Sequence, residues 1–201
     1  MIMVVPTWCG RPDEGEARLA PLLSFGTVLT NTIATMPVGA RARIFDPHIV
    51  NGQRVFMETC WLPTLDGRSI DALIAAMAQA SGPGCAIFTH EFNRAASRVP
   101  VEATAFGLRR DHLLVEVLAT FVDRSDRGEE DRHRAWAAAV RRALAPMALP
   151  GGYPNLLARN DVDRAAKSYG PNAERLMAAK RHYDLDNVFR SAIPLPVAPS
   201  T

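Results

Sequence analysis

Three side chains carry the chemistry this sequence offers: Glu116, Tyr153 and Asn155. Glu116 lies inside the apolar run 113–121. Loss of water there favours the neutral acid and tunes a carboxyl for proton transfer. The same position also suits a structural carboxylate paired with one of the 23 basic residues, and the run alone does not choose between the two. Tyr153 and Asn155 flank Pro154, just after Gly151-Gly152. Proline fixes its own φ and pushes Tyr153 into an extended conformation, so a phenol and a carboxamide sit at a set spacing on a short, stiff segment. Their donors and acceptors suit a polar, planar ligand; a plain surface turn would use the same residues. His112 shares a strand face with Glu116 but lies at its end, where a rim position is expected. Glu58 is a weaker candidate base, and His90, on an apolar face, reads as a satisfied core histidine.

Strands and helices must hold these groups in place. Residues 54–62 form the first clear strand, with Val55, Met57, Thr59 and Trp61 on one face and Phe56, Glu58, Cys60 and Leu62 on the other. Both faces are largely apolar, which predicts a central strand. Residues 85–92 and 113–121 are two more strands, the last being the most apolar. Helices are expected over 13–25, 66–80, 129–147, 161–169 and 171–183, with a short piece after Pro37. Ile70, Leu73, Ile74 and Met77 are the expected buried stripe of the second, and Trp136, Val140 and Leu144 that of the third. Leu176, Ala179 and Tyr183 give the last a packing side, and Val188-Phe189 an apolar plug beyond it. Residues 2–5 read as a short strand, and Pro194, Pro196 and Pro199 mark an irregular tail. Strands interrupted by amphipathic helices, with no glycine-rich phosphate turn, predict an α+β layer: a mostly antiparallel sheet with helices packed on one face.

The order Tyr153-x-Asn155, then Tyr169-Gly170-x-Asn172-x-x-Arg175-Leu176, then Lys180-x-x-Tyr183-Asp184-x-x-Asn187-x-Phe189-Arg190 resembles the C-terminal signature of the berberine-bridge-enzyme-like FAD-linked oxidases. The resemblance implies that Asn155 contacts the flavin, that Tyr153 lies beside it and lines the substrate cavity, and that residues 169–190 pack back onto a flavin domain. Such an oxidase needs a base over the ring. Glu116 and Tyr153 are the catalytic candidates, Asn155 and Tyr153 the cofactor contacts. Residues 1–150 then correspond to a substrate-binding α+β domain, 151–193 to the berberine-like segment and 194–201 to a tail. Arg94 departs from the family at a turn where glycine is usual, and Leu108 replaces the histidine that often precedes Arg109-Arg110-Asp111. Arg109 is thereby reduced to a structural arginine or a carboxylate clamp.

The resemblance corresponds to the C-terminal half of such oxidases, so FAD and a small organic substrate are implied, together with a flavin domain that either belongs to a longer gene from which this chain is truncated or is a separately encoded partner. A non-catalytic orphan or binding domain is the alternative. Composition narrows the rest. The 201 residues carry a net charge of +2, with 21 acids interspersed among the basic residues, so no nucleic-acid footprint is indicated. Residues 1–6 are too short for a spanning helix and lack the flanks of a signal peptide, which predicts a cytoplasmic product with no membrane role. Cys9, Cys60 and Cys85 are unpaired in spacing and expected in the core, and neither they nor the five histidines have metal-ligand spacing.

Overall fold

A computed structural model describes residues 1–49, 51–122, 127–158 and 161–189. The chain divides into two compact units, residues 1–51 and 52–201. The first holds helix α1 (Pro12–Leu19), a 3-10 turn (Ala20–Ser24) that Pro21 opens, and the short helix α2 (Val38–Ala42). The strand expected over residues 2–5 does not form: Ile2, Met3 and Val4 are exposed coil. An apolar run becomes a strand only where another strand accepts its hydrogen bonds.

The second unit carries the sheet and the remaining helices: β1 (Arg54–Leu62), α3 (Gly67–Ala78), β2 (Cys85–Phe92), β3 (His112–Phe121), α4 (Arg127–Leu144), α5 (Val162–Ser168) and α6 (Ala173–Tyr183). Among the described residues this unit is an α+β arrangement of four helices and one three-stranded antiparallel sheet, ordered β1-β3-β2. Thus β3, the most apolar strand, is central, and β1 is an edge despite its two apolar faces. Its register sets Cys60 opposite Val115, Thr59 opposite Glu116 and Trp61 opposite Leu114, while Phe88 of β2 also faces Glu116.

That register sorts the sheet into two faces. Val115, Val117, Ala119, Cys60, Leu62 and Cys85 point to one side and form the core with Trp136, Ala137, Val140 and Leu144 of α4. Leu73, Ala72 and Ala76 of α3 close it, and Trp136 Nε1 donates to Ala76 O at 2.9 Å, joining the two helices. Helix α3 starts on a capping box: Ser69 N donates to Asp66 Oδ1 at 2.8 Å and Asp66 N to Ser69 Oγ at 2.9 Å. This rotation turns Leu73 inward but leaves Ile70, Ile74 and Met77 exposed, against the expected stripe. The small residues Ala72 and Ala76 take the close approach to α4 and β2, and larger side chains are displaced to the flank.

Cys60 and Cys85 are core residues and Cys9 is exposed. Burial pushes the Cys60 thiol up to about 11, so it is inert. Arg190 and the tail from 194 lie outside the described residues.

Leu144 is wholly buried at the base of α4. Leu144→Ala is expected to lower stability by about 2–5 kcal/mol, measured as a fall in the urea unfolding midpoint at unchanged slope.

Candidate functional site on the sheet's second face and the Tyr153 turn

The outer edge of β1 would leave backbone groups unpaired, and the C-terminal segment covers it. Leu149 N donates to Trp61 O at 2.8 Å. Farther along the chain, Arg164 of α5 donates to Thr59 O through Nη2, to Gly151 O through Nε at 3.3 Å and to Asp161 Oδ2 through Nη1 at 3.3 Å. Gly151 takes a positive φ of 85°, and an added Cβ there would lie 2.9 Å from the Ser168 Cα. Gly152 N donates to Ser168 Oγ at 3.1 Å, which itself donates to Arg164 O at 2.7 Å. These contacts deliver the chain to Tyr153 in an extended conformation, followed by a single 3-10 turn, Pro154–Leu156. Asn155 therefore sits in a turn rather than on an extended stretch. Its Nδ2 donates to Tyr153 Oη at 3.1 Å, which leaves Oδ1 without a partner among the described contacts. The pair borders a cleft of about 190 Å³ with Ala105, Phe106 and Tyr169.

The loop 93–111 forms the far wall of that cleft, and helix α6 begins by fixing it. Asn172 Nδ2 donates to Val101 O at 2.8 Å and to Thr104 O at 3.0 Å, and Arg175 Nη1 to Glu102 O at 2.9 Å. Gly107 lets the backbones meet: a Cβ there would fall 2.2 Å from Tyr169 O. Arg94 adopts φ 58°, so the turn keeps the left-handed backbone usually given to glycine and bears the strain of a side chain. Arg109 is structural, donating to Ala96 O at 3.1 Å and Thr104 Oγ1 at 2.7 Å while lying over the Phe106 ring at 5.1 Å. His112 is not at a rim. It is buried, stacked on Phe92 at 4.6 Å and edge-on to Trp61 at 5.6 Å, with Nδ1 2.7 Å from Arg110 O. Burial lowers its proton affinity, so the neutral ring with Nδ1–H donating fits the site.

Glu116 lies one rung from this cluster on the sheet face that the helices leave uncovered. Its side chain is 18% exposed, and His90 Nε2 approaches Oε1 at 3.5 Å. His90, itself more than half exposed, is thus a neighbour of the acid and not a core residue. Thr59, opposite Glu116, is buried with no hydrogen-bond partner for Oγ1. Glu58 points the other way, 2.9 Å from Arg141 Nε of α4; burial raises its carboxyl pKa, with Arg141 opposing. Tyr153 and Asn155 are brought together with each other, and Glu116 with His90. The sequence does not mark His90 and Thr59 as neighbours of Glu116, because the pairing that sets Thr59 opposite it and His90 one rung along, opposite Leu114, joins three strands distant in sequence.

A larger cleft of about 340 Å³ opens between the β1 edge, the end of α4 and α5. Two of its three cations, Arg141 and Arg164, are already committed to Glu58, Thr59 O, Gly151 O and Asp161.

A domain model described as berberine and berberine-like matches residues 148–196, the segment that carries the Tyr153 turn, α5 and α6. The chain resembles one part of the berberine-bridge-like FAD-linked oxidases. Among curated proteins it is 29% identical over 196 residues to the uncharacterized FAD-linked oxidoreductase YvdP of Bacillus subtilis, covering 95% of this chain and 42% of the relative. A second, YgaK of the same organism, is 26% identical over 193 residues, covering 93% and 41%. The chain therefore spans about two fifths of the length of these relatives. Its fold is that of the berberine bridge enzyme from Eschscholzia californica (TM-score 0.58, 20% identity, 72% of this chain and 34% of that one). A glycopeptide hexose oxidase complexed with teicoplanin shares it as well (0.62, 21%, 72% and 32%). Among the described residues no helix is long and apolar enough to cross a membrane, and no cluster of His, Cys, Asp or Glu is arranged to hold a metal.

Because His112 binds protons less readily when folded, stability is present above the ordinary imidazole range and is lost as pH falls from there towards its lowered value. The urea midpoint is expected to drop between about pH 8 and about pH 5, and to drop less in His112→Phe. Gly107→Ala is expected to cost at least about 2 kcal/mol, read from the same midpoint, because the clash is with backbone and cannot be relieved by a rotamer change.

Proposed function

We propose that this chain is the substrate-binding and C-terminal part of an FAD-dependent oxidoreductase that oxidises a small organic molecule. When bound, the flavin would supply the hydride acceptor. The observation that carries the reading is the Tyr153–Asn155 pair, presented on a turn that Arg164 ties to the β1 edge, on the same sheet that carries Glu116. The Asn155 carboxamide oxygen has no partner among the described residues and is an acceptor suited to one edge of an isoalloxazine ring. A cleft of about 190 Å³ is smaller than whole-cofactor pockets, which start at about 300 Å³. The donor set therefore fits contact with one edge of the ring and not retention of the dinucleotide. The rest of the flavin would be held by a flavin domain outside these residues, on the same longer polypeptide or on a separate one.

In this reading Glu116 is the general base, accepting a proton from the substrate, and Tyr153 lines the cavity or serves as a second proton acceptor. Asn155 orients the ring. Arg94 would favour a non-catalytic domain if it straightened its turn, but it holds the left-handed backbone.

The test is flavin absorbance after purifying the chain with and without a flavin domain from a neighbouring reading frame. Yellow colour is expected only in the complex, with flavin retention weakened about ten-fold in Asn155→Ala, the loss of one hydrogen bond. A colourless preparation in both cases overturns the reading.

A further inference from the structure

The cleft between the β1 edge, the end of α4 and α5 shares no lining residue with the one beside Tyr153. At about 340 Å³ it falls within the range of small-molecule sites. Three cations line it, Arg141 of α4 and Arg164 and Lys167 of α5, and among the described residues no carboxylate does. Its remaining titratable group, Cys60, stays a neutral thiol and adds no negative charge. Between the cations the wall is small or apolar: Ala145, Ala148, Leu149 and Pro150. Local structure explains the convergence. Arg164 and Lys167 stand three residues apart on α5, hence on one face. Gly151 admits that helix to the strand edge, since a Cβ there would lie 3.0 Å from the Lys167 carbonyl carbon. We propose that this cleft binds a small monocarboxylate with a short apolar body, at a site separate from the flavin edge and independent of the oxidase reading.

Charge selects the class of ligand. Two acids behind the wall offset two of the cations: Glu58 lies 2.9 Å from Arg141 Nε, and Asp161 lies 3.3 Å from Arg164 Nη1. Lys167 forms no ion pair or hydrogen bond among the described residues, so the cleft retains one uncompensated positive charge. One carboxylate balances it, whereas a phosphate dianion would bring a second charge with no counter-ion. Donors remain for it as well. A guanidinium carries five N–H groups, and Arg141 meets Glu58 through Nε, leaving its two Nη groups without a partner among the described residues. A bound carboxylate would accept from these and from Lys167 Nζ, in the charge-assisted bonds that a neutral amide or alcohol cannot match. The apolar body would lie against Ala148 and Leu149, both half-buried, and cover surface now open to water.

The experiment is an amide-detected NMR titration of the full chain at constant ionic strength, with butanoate, butanamide and inorganic phosphate as probes. Butanoate is expected to shift the amides of Cys60, Leu149, Gly151 and Lys167, and to bind about ten-fold more tightly than butanamide, the worth of one charge-assisted hydrogen bond. Phosphate is expected to bind more weakly than butanoate. Lys167→Ala should weaken butanoate about five-fold and leave butanamide unchanged, while Lys167→Arg should stay within about two-fold of the unaltered chain. Lys167 is an exposed side chain, so both variants should keep the urea midpoint, and the comparison of acid with amide in the unaltered chain needs no variant to fold. Equal binding of butanoate and butanamide, tighter binding of phosphate, shifts confined to other surfaces, undiminished butanoate binding in Lys167→Ala, or no binding by any probe each overturns the inference. Flavin absorbance reads the oxidase proposal separately, and neither result bears on the other.

Discussion

Arg164 holds the second unit together in a way that none of its apolar contacts could. One guanidinium donates to the edge carbonyl of Thr59, to Gly151 O and to Asp161. Its planar fork serves three acceptors that diverge from one another, which a lysine ammonium would reach less well. Without it, β1 would present an unpaired edge and the segment from Gly151 onwards would be attached to the sheet chiefly through Leu149. The geometry of the Tyr153 turn thus depends on a residue that follows it in the chain and does not belong to the site.

The three-stranded sheet is unequal in its two faces. One is covered by α3 and α4, with Val115, Ala119 and Leu144 wholly buried. The other keeps Val55 and Met57 exposed around an acid. Elsewhere on this unit Ile70, Ile74 and Met77 line the flank of α3, and Leu185, Val188 and Phe189 stand out beyond α6. The turn carrying the last of these is nevertheless well built: Asp184 accepts from Lys180 Nζ, from Val188 N at 2.7 Å and from Phe189 N at 3.1 Å, and the Lys180 contact holds its carboxyl below the usual range. The apolar plug expected of Val188-Phe189 therefore does not dock on this unit: the turn is ordered but both side chains remain exposed.

Much of the local structure was legible because short-range physics decides it. Strands 54–62 and 85–92 emerge with their bounds, since alternation and turn residues mark both ends. Asp66 and Ser69 set the start of α3, and Gly170, at φ 49°, stops α5. The errors share a cause. β1 looks central from its composition, yet it is an edge whose outer groups are paired by a later segment. The stripe of α3 looks buried from its periodicity, yet alanines make the contact. His112 and His90 exchange environments, the first enclosed by Phe92 and Trp61 and the second turned towards Glu116, because each responds to strands remote in sequence.

The sequence by itself determined which residue types are available, where helices and strands begin, and the motif order from Tyr153 to Phe189 that relates this chain to FAD-linked oxidases. These depend on neighbours a few positions apart, whose interactions survive in any context. Only the tertiary structure decided that Glu116 stands beside His90 and opposite Thr59, that Glu58 is instead spent on Arg141, and that Tyr153 and Asn155 are fixed to the β1 edge. A change of one residue in strand register would send Glu116 to the other face of the sheet, and that register is set by the packing of the whole core.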